Sequence, residues 1–308
     1  MTDEKIIVGS KTKYPLDGIL SIPDMTNGPF PAVVLVQGSG PSNMDEKIGA
    51  ITPFKDLAEG LSKKGIAVLR YDKRTFVYRK EMKSDSGLTV KEETIEDAIL
   101  AANLLREDSR INPIKVFIIG HSLGGMLAPR IDAEGGDFAG IVILGGSPRK
   151  FEEILLDQNN AVLESVNRFL KMIARKQIAK LSSKFDNVYT LSDEEAKATP
   201  ILGKHVKAYY IKEMGQHPSV DYLKVLHKPI LVLQGEKDFH VSMEHDYQGY
   251  KSVLKNHPSA SFKSYPNLNH VFMPSVYGEI LKAKKEYKVP QHVDRQVIEE
   301  ISDWILSL

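Results

Sequence analysis

Ser122 stands in the run VFIIGHSLGGMLAPR, Val116 to Arg130, where an apolar stretch ends and a helical pattern begins. Gly120-His121-Ser122-Leu123-Gly124 has the G-x-S-x-G spacing of a nucleophile elbow, a strand-to-helix turn that strains the serine backbone and lifts its hydroxyl above a sheet edge. Glycines two residues to either side let strand and helix approach without a Cβ collision. The following helix would aim its N-terminal amides, the Leu123 N–H first, at an oxyanion forming beside Ser122. The bland alternative is a glycine-rich helix start that serves packing alone. A serine hydroxyl by itself is a poor nucleophile, so the chemistry also requires a base and an acid that orients it.

The chain has nine histidines, and a triad on such a strand–turn–helix unit runs in the order Ser, Asp or Glu, His. LVLQGEKDFHV puts Asp238 just past one strand, and YPNLNHVF puts His270 in the loop after the next. In a parallel sheet both ends open on the edge that carries the nucleophile turn, so three residues remote in sequence can form one hydrogen-bonded chain. Asp238 is the preferred acid; Glu236 and Asp246 are either solvated charges or substitute acids, and the bland alternative for Asp238 is a turn residue bonding its own backbone. His121 reads as packing or hydrogen-bonding beneath the turn. His240 and His245 have no third ligand at a convincing spacing, so no metal is expected. His205, His217, His227, His257 and His292 lie outside any motif.

A second oxyanion donor is expected from the loop after AVVLVQGSGP, where Gly38 and Gly40 let the backbone bend toward a substrate. The Ser39 amide is the candidate partner to Leu123; a plain glycine turn is the alternative. Gln37 and His121 are the nearest further candidates for substrate contact. RYDKRT, Arg70 to Thr75, ends another strand on the same edge, and local pairing of Asp72, Lys73 and Arg74 would brace the loops.

These positions imply a framework of repeated βα units. KIIVGSKTKYPLDGILSIPD reads as a hairpin, and PFPAVVLVQGSG as a strand buried on both faces. Helical FKDLAEGLSKKG leads to the strand IAVLRYD, TIEDAILAANLLRED to KVFIIG, and the helix after Ser122 to FAGIVILGG. From about Ser147 to about Leu226 the rhythm breaks into helix-rich sequence, with Leu155, Val162, Val166, Phe169 and Ile173 at helical spacing. Alternation resumes with KPILVLQGEKD, MEHDYQGYKSVL and ASFKSYP and ends in the amphipathic RQVIEEISDWILSL. The division expected is a core of residues 1–146 and 227–308 and a helical insertion of 147–226.

Composition narrows the chemistry. A formal net charge of +1, with no basic run interleaved with aromatics, disfavours nucleic acid and anionic membranes as partners. The absence of cysteine excludes disulfides, thiolate metal sites and a cysteine nucleophile. No signal peptide or membrane span is read, which makes a cytoplasmic location the default expectation.

GHSLGG, GEKDFHV and NLNHVF, in that order, resemble the α/β-hydrolase superfamily over nearly the whole chain apart from the inserted segment. The run VQGSGPSNMDEKIGAITPFKDLAEGLSKKGIAVLRYDKRT is similar to that of bacterial serine esterases related to the dienelactone-hydrolase-like and acyl-peptidase branches. That resemblance implies an α/β-hydrolase fold with an eight-stranded, mostly parallel sheet flanked by helices, the insertion forming a lid over the catalytic edge. It also implies carboxylesterase activity on short acyl esters. Two departures stand out: Gln37-Gly38 replaces the usual His-Gly before the oxyanion residue, and dienelactone hydrolases proper use a cysteine. Because the oxyanion donor is an amide, the hole itself tolerates the first change.

The expectation is thus a serine carboxylesterase with Ser122, Asp238 and His270 as triad, Ser39 and Leu123 as oxyanion donors, a small-molecule ester as substrate and no cofactor. Met172, Tyr209, Tyr210 and Met214 are the lid residues proposed to line the acyl pocket; the alternative is a small lid core or a homodimer contact. An acyl thioesterase, an amide or peptide hydrolase, and a non-catalytic hydrolase-fold binding protein are the competing readings.

Overall fold

Valine, isoleucine and leucine fill the runs AVVLV, AVL, VFII, IVIL and ILVL, and β-branched side chains of this kind favour extended backbone. In the computed structural model, which describes residues 1–24, 28–164 and 168–308, each of these runs is a strand. The strands before the insertion are β1 (Thr2–Val8), β2 (Leu16–Ile22), β3 (Phe30–Val36), β4 (Ala67–Tyr71), β5 (Ile111–His121) and β6 (Ile141–Leu144). A short pair, β7 (Pro200–Leu202) and β8 (Val206–Lys207), lies within it, and β9 (Ile230–Gly235) and β10 (Ala260–Tyr265) follow.

Eight strands form one sheet in the order β1-β2-β4-β3-β5-β6-β9-β10. The β1–β2 hairpin and the β2–β4 pairing are antiparallel, and every pairing from β4 to β10 is parallel. Strand β3 sits between β4 and β5, so the chain leaves β3 toward one side, returns across it, and opens a crevice at the carboxyl ends of β3 and β5. The loop bearing Ser39 and the turn bearing Ser122 leave the sheet at that crevice.

Both faces of the sheet are covered, which is why its central strands are apolar at consecutive positions. Ala32, Val34 and Val36 face one core, which includes residues of the helices Glu96–Glu107 and Leu123–Ile131. Val33 and Leu35 face the other, with the helices Pro53–Lys63 and Arg295–Ser307. The former helix buries Phe54, Leu57, Ala58 and Leu61, one face at intervals of three and four residues, and starts with proline, whose missing N–H costs nothing in a first turn.

Between β6 and β9 the helices Phe151–Glu164, Arg168–Val188, Asp193–Ala198, Ala208–Gln216 and Ser219–Val225 build a segment with its own small core of Phe185, Val188, Ala196, Ile201, Ala208 and Ile211. The β7–β8 hairpin was not read from the sequence. Pro200 cannot extend the preceding helix, and Gly203 at φ +65° makes the reversal. Arg130 on the helix after Ser122 reaches Glu213 of the segment at 2.5 Å. Of the apolar positions read at helical spacing, Val166 and the side chain of Phe169 lie outside the described residues.

Candidate active site

Ser122 has φ 54° and ψ −116°, a region L-residues rarely occupy. Its N–H donates to the Leu144 carbonyl at 2.9 Å on neighbouring β6, and its own carbonyl accepts from the Met126 N–H at 3.0 Å in the first turn of the helix. The flanking glycines are steric necessities. A Cβ on Gly120 would stand 2.3 Å from the Gly124 carbonyl oxygen, and one on Gly124 would stand 2.2 Å from that of Val36. The chain turns sharply because strand, helix and the end of β3 are in backbone contact.

Asp238 lies three residues past β9 and His270 five past β10. His270 Nδ1 is 2.7 Å from Asp238 Oδ2, and the Asp238 side chain is 1% exposed. The same oxygen accepts from Gln234 Nε2 at 3.0 Å, while Oδ1 accepts the backbone N–H groups of His240 and Val241 at 2.7 and 3.1 Å. Burial alone would raise the Asp238 pKa; attraction to His270 and its hydrogen bond, helped by His240 and its N–H, outweigh burial and hold the carboxyl below its ordinary value. Glu236 is exposed and accepts from Ser264, whereas Asp246 is buried and holds Ser147, Arg149 and the Ser242 N–H. Neither substitute acid is bonded to His270.

Gly145, the residue after β6, forms the floor of this pair. A Cβ there would lie 3.2 Å from His270 Nδ1 and 3.3 Å from Asp238 Oδ2, and its φ of +54° disfavours any other residue.

His121 packs beneath the turn. Its Nδ1 is 2.9 Å from Glu46 Oε1, and its Nε2 is 3.0 Å from the His270 carbonyl oxygen. A carbonyl can only accept, so Nε2 donates, and Glu46 Oε1, which also accepts the Gly38 N–H at 2.7 Å, stands where it would accept from Nδ1 of the charged imidazole. Burial opposes that charge, but Glu46 and the His270 carbonyl outweigh it and raise the His121 pKa. His240 goes the other way: burial first, then its neighbours His270 and His121 against the attraction of Asp238, push it down to about 3, and its ring lies tilted against that of His270 with centroids 4.6 Å apart.

Ser39 follows β3. Among the described residues its amide has no backbone acceptor, and Ser39, Ser122 and Leu123 together line a cavity of about 50 Å³ closed by Met126, Phe151, Ile154 and Leu155. Gln158 and Val241 are shared with a larger cleft of about 450 Å³ that reaches Asp238, His240, His245 and Glu279.

The remaining candidates lie elsewhere. Gln37 is buried and donates to the Tyr71 carbonyl. Met172 is exposed on the Arg168–Val188 helix, Tyr209 packs on the small core of the inserted segment, and Met214 belongs to the core beneath the sheet. Tyr210 donates from its hydroxyl to Glu93 at 2.5 Å. None of these lines the cavity at Ser122; Tyr209 and Met214 are spent on packing, Met172 faces outward, and Phe151, Ile154 and Leu155 at the start of the segment line it instead. Sequence reading missed Phe151 and Ile154 as well as Glu46 and Gly145. Leu155 alone carried a signal, its helical spacing; nothing local marks Glu46 in SNMDEKIGA or Gly145 in VILGGSP.

A family model described as serine aminopeptidase, S33, matches residues 47–274, which include Ser122, Asp238 and His270. The chain belongs to that family. It is 37% identical over 296 residues, 95% of its length, to the esterase EstD of Thermotoga maritima, and spans 66% of that protein. Est1E from Butyrivibrio proteoclasticus shares the fold at TM-score 0.58 and 13% identity, with 99% of each chain covered. The Pyrococcus furiosus esterase Pf2001 does so at TM-score 0.57 and 13% identity, over 99% of this chain and 91% of that one. Among the described residues no helix is long and apolar enough to cross a membrane.

Proposed function

We propose that the protein is a serine carboxylesterase acting through an acyl-enzyme, with Ser122 as nucleophile, His270 as base and Asp238 as orienting acid. One observation carries this reading: the His270–Asp238 pair is tied to the nucleophile turn itself, because His121, one residue before Ser122, bonds the His270 backbone. With Nδ1 engaged by Asp238, proton transfer falls to His270 Nε2. Ser122 Oγ attacks the acyl carbon as its proton passes to His270, and the Ser39 and Leu123 amides stabilise the tetrahedral oxyanion. The alcohol departs with that proton; water, deprotonated by His270, then adds to the acyl-enzyme and releases the acid. Nothing in this cycle requires a cofactor. The relation to EstD supports an ester as substrate.

The cavity of about 50 Å³ beside Ser122 accommodates an acyl group of a few carbons, and the cleft of about 450 Å³ takes the alcohol. The inserted helices act as the lid, since Phe151, Ile154 and Leu155 wall the smaller cavity. The family description raises an aminopeptidase as the second reading, which would need a carboxylate for a substrate ammonium. Each carboxylate lining the larger cleft is already engaged: Asp157 and Asp246 by Arg149, Glu279 by Lys282 and Asp238 by His270. That favours the ester. Hydrolysis of p-nitrophenyl esters from acetate to long chains, with Ser122→Ala and His270→Ala beside the wild type, is the test. Turnover of short esters that falls to background in both variants supports the reading; a folded wild type inert on every ester while cleaving aminoacyl anilides would transfer it to the peptidase.

A further inference from the structure

Gly38 and Gly40 leave the peptide that carries the proposed oxyanion donor with little intrinsic preference, and Gly40 takes φ +82°. Something outside the loop must therefore set which way that peptide faces. Lys73, two residues past β4, is 2% exposed, and its ammonium donates to the Gly38 carbonyl at 2.8 Å. It is paired with Glu93, 6% exposed, at 3.1 Å.

The Gly38 carbonyl and the Ser39 N–H belong to one planar, trans peptide, in which C=O and N–H point in opposite directions. Fixing the carbonyl toward Lys73 fixes the Ser39 N–H away from it, and Ser39 itself lines the cavity together with Ser122 and Leu123. The preceding peptide is held as well, because the Gly38 N–H donates to Glu46 at 2.7 Å. A flip of the Gly38–Ser39 peptide would turn its carbonyl toward the substrate oxyanion and leave the Lys73 ammonium, buried, facing an N–H. We propose that Lys73 is a positioning residue for the oxyanion hole, holding the Ser39 amide toward the reacting carbonyl; this rests on the esterase reading above.

Burying two charges is a poor route to stability, since desolvation offsets most of their attraction. The pair's geometry also reaches beyond the loop. Glu93 accepts the Tyr210 hydroxyl of the inserted helices at 2.5 Å and that of Thr75 at 3.3 Å, and the Lys73 backbone N–H holds the Ser42 carbonyl at 3.0 Å. The ammonium thus joins the catalytic loop to a frame that the insertion helps to build.

The test is steady-state hydrolysis of p-nitrophenyl acetate by the full chain as wild type, Lys73→Met, and Lys73→Met/Glu93→Gln, with melting temperatures for all three. The double variant leaves no unpaired buried charge and guards against a single variant that fails to fold. Losing one oxyanion donor typically costs about 10²–10³ in kcat. The expected result is a kcat loss of about 10² with KM changed less than about threefold, and in the double variant a melting temperature restored toward wild type without recovery of kcat. A trifluoromethyl ketone, which forms the tetrahedral adduct, should lose affinity in parallel with kcat. If kcat recovers along with the melting temperature, or if Lys73→Met leaves kcat unchanged in an active wild type, Lys73 does not position the amide. A folded wild type that cleaves no ester overturns the esterase reading instead, and this proposal with it.

Discussion

The His121 ring, one residue before Ser122, donates from Nε2 to the backbone carbonyl of His270 at 3.0 Å, across 149 residues of sequence. The Ser122 turn and the His270 loop are therefore one mechanical unit, and the His121 that joins them is held by the buried Glu46.

That link makes stability pH-dependent in a defined direction. The folded pKa of His121 lies above its ordinary 6.5, because Glu46 and the His270 carbonyl outweigh burial. The pair's contribution is fully present below pH 6.5 and is lost as pH rises through the raised folded value. Glu46→Gln should cost about 1–3 kcal/mol near pH 6, with the gap to wild type narrowing toward pH 9. Urea unfolding at a series of pH values checks this, and a gap independent of pH would show that His121 is not charged in the fold.

Asp238→Asn should preserve the fold and lower kcat by about 10³–10⁴ on p-nitrophenyl acetate, because an amide cannot hold the same His270 tautomer or stabilise an imidazolium. The carboxyl also has a depressed pKa, so it stabilises the fold above its ordinary 3.8 and that stability is lost as pH falls through the lower folded value. Acid unfolding followed by circular dichroism should be shallower in the variant.

Gly145→Ala tests the floor beneath the pair. The added methyl meets His270 Nδ1 and Asp238 Oδ2 at 3.2 and 3.3 Å in a backbone at φ +54°. The expected outcome is a stability loss of about 1–2 kcal/mol and a kcat loss near 10²-fold, larger than strain alone would cause. A variant that is destabilised yet fully active would mean that the contact does not position the base.

Leu155→Ala should enlarge the small cavity and shift acyl preference upward. Each methylene that becomes accommodated is worth about 0.8 kcal/mol, roughly fourfold in kcat/KM. Profiles from acetate to octanoate for both proteins measure the shift; identical profiles would place the acyl group elsewhere, with the cleft of about 450 Å³ as the first alternative.

The central strands and their covering helices were legible because each is written in a local period: consecutive apolar residues where a strand is buried on both faces, and intervals of three and four where a helix packs on one side. The turn at Ser122 was legible for a related reason, since only glycine fits where the Gly120 and Gly124 positions touch backbone at 2.3 and 2.2 Å. The β7–β8 hairpin was not, being three and two residues long and too short to show a period. The faces of Tyr209, Tyr210 and Met214 were misleading for the opposite reason, because helical periodicity marks an apolar face without saying what lies against it.

By itself the sequence determined the strained turn at Ser122, the alternating framework and the order in which possible acid and base follow Ser122, all consequences of sterics and periodicity within a few residues. Only the tertiary structure decided that Asp238, and not Glu236 or Asp246, stands 2.7 Å from His270. It alone brought Glu46 under the turn and the Lys73 ammonium onto the Gly38 carbonyl, contacts that span 75 and 35 residues. A buried polar group takes its partner from whatever the fold brings within about 3 Å, and no local pattern encodes that choice.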